Sequence, residues 1–342
     1  MLEMRARRGR IWKTLAAAAL GAATLGVSGV ALASAPGSAA CADQHGRATP
    51  AAYRCAASGD LLDVTLGDVR ATQPSLGYDE VYYNLGRYAF GKDEVNKKFD
   101  DWCETNGQGG AKSVGDGARL DDPSSFECEI PVGQETDDSE ADMKSVVIGP
   151  NGVPYLVDGH HTLTSFYELA DGGAKLHLRL KVLDNLSQLS PDAFWDKMKQ
   201  NKWVWLKDVD GNAITPDQLP DGVGLSKFVN DKYRGLLYFG RDIGYESESV
   251  PFQEFYWGTW LRDDNPVDWN ADDLDSYLDA VKSFTKAQTD LPSDTVIGDG
   301  QTAKDLGALK SWDGDEFDKL SKTYDDDKPG KLAYALKYKA SL

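Results

Sequence analysis

The sequence predicts an α+β fold, with a mixed-sheet domain over residues 61–185 followed by a mainly helical region over 186–342. Three observations carry this. KLHLRLKVL, Lys175 to Leu183, alternates: Leu176, Leu178, Leu180 and Val182 fall on one face and His177, Arg179 and Lys181 on the other, the pattern of a half-buried strand. Two short apolar runs, Ser145 to Ile148 and Val153 to Val157, flank Pro150-Asn151-Gly152, and an Asn-Gly pair between such runs marks a hairpin. Beyond residue 186 the apolar spacing turns helical, as at Leu274, Tyr277, Leu278, Val281 and Phe284.

The elements follow in order. Arg5, Arg7, Arg8, Arg10 and Lys13 precede an apolar stretch from Thr14 to Ala33 that closes on Ala31-Leu32-Ala33, which predicts a cleaved export signal over residues 1–33 and a secreted product beginning near Ser34. Arg7-Arg8 lacks the phenylalanine and leucine usual in twin-arginine export, and Ser38 stands where a lipoprotein acceptor at Cys41 would need an aliphatic residue. Residues 34–60 read as an irregular lead-in. LLDVTL (61–66) reads as a strand and YDEVYYNLGRYAF (78–90) as a helix. In KDEVNKKFDDWCET, Val95, Phe99, Trp102 and Cys103 share one helical stripe, and the Gly-, Ser- and Asp-rich residues 106–141 read as a long loop. Ser190-Pro191-Asp192 starts a helix, with Ser as cap and Pro in the first turn. DVDGNAI (208–214) reads as a hairpin or loop without the closing acid of a calcium loop, and the aromatic Val250–Arg262 segment as core.

Charge and cysteine content narrow the function. The formal charge is −18, from 37 basic and 55 acidic residues. Cleavage after Ala33 removes five basic residues and one acid, leaving 32 against 54, a net −22. Such a surface repels nucleic-acid phosphates, so no duplex-DNA partner is expected. All four cysteines follow the cleavage site, and an even number in an oxidising compartment predicts two disulfides and no free thiol. Of the three pairings, neighbour pairing is expected: Cys41–Cys55 and Cys103–Cys128. No CxxC or HxxxH spacing supports zinc.

The chemistry concentrates at Asp158-Gly159-His160-His161-Thr162, where a strand opens directly into a helix. Unpaired N–H groups and the helix dipole favour an anion there, and Gly159 permits close backbone approach. His160 or His161 is the candidate general acid/base, oriented by Asp158. Adjacent helical residues point about 100° apart, so one of the two would face the ligand. His160→Ala or His161→Ala is then expected to impair function with little effect on thermal stability.

Three stretches resemble the ParB/sulfiredoxin superfamily, in its ParB-like nuclease branch: VTLGDVRATQPSLGYDEV, VVIGPNGVPYLVDGHHTLTSFYEL, and NDKYRGLLYFGRDIG with VPFQEFYWGTWLR. The resemblance implies a ParB/sulfiredoxin-like fold and a nucleotide-phosphate pocket at Asp158–Thr162. Gly159 and Thr162 would bind ligand, joined by Gln73 from the ATQP loop and Arg70 against a phosphate. The sulfiredoxin cysteine and the arginine pair of the partition proteins are both missing at this turn, which removes those two activities. Tyr233, Arg234, Arg241, Glu254 and Arg262 lie in the later segments. Glu254 and Arg262 are eight residues apart and could form an ion pair on one helix face.

Three functions follow for a protein with a small anionic ligand. The first is an exported hydrolase of phosphate-bearing substrates, which as a nuclease would call for a divalent metal ion to bridge the repulsion. The second is a non-catalytic exported binding protein. The third is a nucleotide-dependent phosphotransferase.

Overall fold

The computed structural model describes residues 53–247 and 250–342, so the expected signal and Cys41 lie outside the described residues. Along the first part of the chain run β1 (Leu61–Thr65), β2 (Ser75–Leu76), α1 (Tyr78–Phe90), α2 (Lys97–Thr105), β3 (Ala111–Val114), β4 (Phe126–Cys128), α3 (Asp137–Ala141), β5 (Ser145–Ile148), β6 (Pro154–Leu156), α4 (His160–Tyr167) and β7 (His177–Asn185). Then come α5 (Pro191–Gln200), β8 (Val229–Asn230), α6 (Lys232–Tyr238), α7 (Gln253–Asp263), α8 (Leu274–Asp290), β9 (Val296–Gly298), β10 (Gln301–Thr302), α9 (Gly314–Leu320) and α10 (Lys331–Lys339). The chain is thus mixed α and β.

The main sheet has the order β1-β7-β5-β6. β7 runs antiparallel to β1 and parallel to β5, and β5 pairs antiparallel with β6. The alternation of β7 sets its faces: Leu178, Leu180 and Val182 are buried, against Val64, Val146 and Leu156 of the other strands and Leu163 and Phe166 of α4. Val147, pointing the other way, packs with Phe194 and Met198 of α5. The β5–β6 turn is the Asn-Gly hairpin, with Asn151 at φ 64° and Gly152 at φ 78°. A second core, including Leu236, Trp257, Tyr277 and Phe284, joins the later helices.

The two regions are knitted together. α10 lies along α1, so tightly that a Cβ on Gly86 would come 2.2 Å from the Tyr334 carbonyl. Tyr82 stacks on Tyr338 with centroids 5.9 Å apart, and Lys339 Nζ is 3.2 Å from Asp79.

Some details depart from the sequence pattern. Val95 precedes α2, because Asn96 caps that helix by accepting from the Lys98 N–H. Residues 106–141 are not all loop: β3 and β4 form a hairpin and α3 a short capped helix. The Cys103–Cys128 disulfide is formed, tying α2 to β4. Cys55 is also disulfide-bonded. No helix among the described residues is long and apolar enough to cross a membrane.

Candidate functional site

The turn before α4 is built on Gly159, which sits at φ 92° and opens the helix with no side-chain cap. Glycine is needed twice over: a Cβ there would also lie 2.5 Å from Cγ of Lys144, whose stem crosses the turn. Asp158 is exposed and bonds neither histidine.

His160 and His161 are 3% and 7% exposed. His160 Nε2 accepts from the Thr72 N–H at 3.2 Å, and His161 Nε2 accepts from the Gly77 N–H at 3.1 Å. Each imidazole therefore carries its proton on Nδ1, and together they fasten residues 72–77 to α4. Burial pushes the His160 pKa down to about 4, with Asp158 opposing and Arg234 adding. Burial, Arg234, Arg241 and His160 push His161 well below its usual value.

This has a pH consequence. The unfolded chain binds a proton at His160 near its ordinary value of 6.5, whereas the folded chain binds it only near 4. Stability is therefore unaffected above that ordinary value, falls as pH drops through this window, and is not regained below it. Thermal melts between about pH 7 and pH 4 should show the decline, shallower in His160→Gln. An equally steep decline in the variant would assign it to other groups.

The cavity nearest this turn opens on another side of α4. It measures about 320 Å³ and is lined by Thr162 of α4, Glu80, Asn84 and Arg87 of α1, Lys97, Asp101 and Glu104 of α2, and by Asp142, Lys144, Arg241 and Lys331, with Tyr83, Tyr88 and Tyr238 as aromatic walls. Neither histidine reaches it directly, but His161 Nε2 lies 3.4 Å from Oε2 of Glu80. Gln73 is buried and donates to the Ser75 carbonyl, while Arg70 donates to the Gly67 and Val69 carbonyls. Of the expected site residues, then, Thr162 lines the cavity, Gly159 underlies Lys144, and Asp158, Gln73 and Arg70 do not line it.

Most cavity charges are spoken for. Arg87 is bidentate to Asp93, and Lys97 pairs with Asp101. Behind the wall, Arg234 bridges Glu80 at 3.0 Å and Glu254 at 2.6 Å, and Arg241 Nη2 donates to Glu254 at 2.8 Å. Glu254 thus pairs with Arg234 and Arg241, not with Arg262, whose guanidinium lies over the Tyr233 ring. Burial would raise the Glu254 carboxyl, but the two arginines outweigh it and hold it at about 2. Glu80 goes the other way: burial raises it, with Arg241 and Arg234 opposing and Glu254 adding. Lys144 and Lys331 form no ion pair with any described residue. Lys331 rests over the Tyr238 ring, and enclosure of its ammonium, followed by repulsion from Arg241, lowers its pKa.

Glu80, Glu104, Lys144 and Lys331 escaped sequence reasoning; of these, Glu80 alone lay inside a family-like segment. Among the described residues, no three His, Cys, Asp or Glu side chains converge to hold a metal ion. The basic row on β7 is neutralised: His177 meets Asp63, Arg179 meets Glu135, and Lys181 meets Glu140.

The family model described as "Putative ParB-like nuclease" matches residues 62–263. No curated protein matches the chain. Among solved structures, the chain is similar to protein Atu1540 from Agrobacterium tumefaciens, at 21% identity and a TM-score of 0.45, over 67% of this chain and 92% of that one.

Proposed function

Because this chain belongs to the ParB-like nuclease family, we propose that it is an exported, nuclease-like hydrolase of small phosphate-bearing molecules, which bind in the cavity beside α4. One observation carries the reading: Lys144 and Lys331, neither of them in an ion pair with a described residue, line one polar cavity together with Thr162. Charged side chains left unpaired in a concave site are the usual sign of an oppositely charged ligand.

In this reading, Lys144 and Lys331 hold the phosphate and Thr162 donates to it. Glu80, whose pKa is raised, takes the proton of an attacking water. Arg234, which donates to Glu80 at 3.0 Å, positions that carboxyl, and Arg241 faces the charge that develops on the phosphoryl oxygens. His160 keeps the turn closed through Thr72. Export accords with the leader pattern and the Cys103–Cys128 disulfide. A second reading, ligand binding without turnover, is favoured by one observation: both imidazoles are already occupied by backbone N–H groups.

The test is turnover of a small aryl phosphodiester by the purified exported protein. Lys144→Ala with Lys331→Ala should raise KM about tenfold or more, and Glu80→Gln should lower kcat by about a hundredfold or more. Binding kept with no turnover in any preparation selects the second reading. Unchanged kinetics in both variants would remove the cavity from the reaction. In parallel, fluorescence anisotropy with a labelled duplex and a chelator should show no micromolar binding at physiological salt; such binding would restore a nucleic-acid partner.

A further inference from the structure

The cavity carries unspent charge of both signs. Beside the two free ammonium groups stand two carboxylates with little to do. Asp142 has no side-chain partner among the described residues, and Glu104 meets only Lys97, at 3.6 Å. Lys97 itself is committed to Asp101. Lysine and carboxylate side chains that can reach each other commonly pair, yet these four line one cavity without doing so.

Their surroundings explain why. The anionic end is crowded with its own sign: burial raises the Glu104 carboxyl, Lys97 opposes, and Asp101, Asp142 and Asp100 raise it further. Lys331 lies near Arg241, a second cation, with the carboxylates of Asp242, Glu80 and Glu316 opposing it. Lys144 stands on the α4 side, its stem over Gly159. Unpaired carboxylate charge thus lies on the α2 side, at Glu104 and Asp142, while the unpaired Lys331 ammonium lies by Arg241 and Glu80. At about 320 Å³ the cavity is at the small end for ligand sites, so one compact molecule must satisfy both ends.

We propose that the ligand of this cavity is dipolar: a small molecule with a phosphate at one end, held by Lys331 and Lys144, and a protonated amine at the other, held by Glu104 and Asp142. This rests on the cavity reading above and adds a requirement to it. A phosphate alone would leave the carboxylate end repelling it. An ammonium group a few bonds away turns that repulsion into two charge-assisted hydrogen bonds. Amine-free phosphate esters are then poor ligands.

Calorimetry on the purified full-length exported protein tests this with two probes, 3-aminopropyl phosphate and n-propyl phosphate. The aminated probe should bind about tenfold more tightly. Glu104→Gln with Asp142→Asn should erase that difference without weakening n-propyl phosphate. Lys144→Ala with Lys331→Ala should weaken both probes. Equal affinity for the two probes in the unsubstituted protein would overturn the dipolar ligand while leaving the phosphate site standing. Failure of both probes to bind would overturn the phosphate site and the dipolar ligand with it. Each carboxylate substitution is near-isosteric in a partly exposed side chain, and a melting temperature within a few degrees of the parent confirms that the comparison is fair.

Discussion

Glu254→Ala should remove about 3–5 kcal/mol of stability, the largest loss expected from any single substitution here. The carboxylate is buried and accepts from Arg234, Arg241 and the Tyr245 hydroxyl, the last at 2.8 Å. Without it, the buried Arg234 and the half-buried Arg241 share only Glu80, which Arg234 reaches at 3.0 Å and Arg241 at 3.6 Å. The cost is that of stranding positive charge away from water, more than of losing the pair's attraction. Glu254→Gln, which keeps the shape and an acceptor, should fall between. The pH dependence has a defined sign: a folded pKa of about 2, below the ordinary 4.5, gives stability that is full above about pH 4.5 and drains away as pH falls towards 2. Urea unfolding checks both statements. A loss under about 1 kcal/mol would show that the arginines find water or other partners when the carboxylate goes.

Breaking the Cys103–Cys128 disulfide should cost about 3–4 kcal/mol, since it closes a 25-residue separation in the unfolded chain. Its second effect is local. α2 buries Cys103, Phe99 and Trp102 on one face and presents Asp101 and Glu104 to the cavity on another. Freeing the helix from β4 should loosen the cavity's carboxylate wall as well as the core. Paired Cys103→Ser and Cys128→Ser substitutions, followed by thermal melting and by phosphate-ester binding, read the two effects separately. An unchanged melting temperature would mean that the contacts of Phe126 with Phe99 and Trp102 hold the hairpin without the bond.

Much of the fold was legible because it is written in short-range patterns. Residues 150–152 announced their turn through Asn-Gly, β7 its faces through alternation, and α5 its start through Ser190-Pro191, while α1 was legible as a helix but not in its length. The β3–β4 hairpin was hidden because its strands are four and three residues long in a Gly-rich stretch, too short for a period to show. The Glu254 partners were hidden because helix geometry proposes Arg262, while tertiary packing delivers Arg234 and Arg241. The site divided in the same way. The Asp158–Thr162 turn stood out as a motif, but the burial of both histidines depends on residues 72–77 crossing above them. The cavity draws Glu80, Glu104, Lys144 and Lys331 from four separate stretches, and no spacing rule connects them.

The pairing of α1 with α10 also sets an order of events in the making of the protein. Around Gly86, α1 packs directly on residues 331–339, some 250 positions further along the chain. Contacts between such distant segments form late, because the intervening chain must first be brought together. Until then the aromatic side chains of Tyr82 and Tyr83 lack their Tyr338 and Tyr334 neighbours, and Lys331 is absent from the cavity rim. A nascent chain that has reached residue 263, where the family match ends, therefore holds neither a finished helix pair nor a finished site.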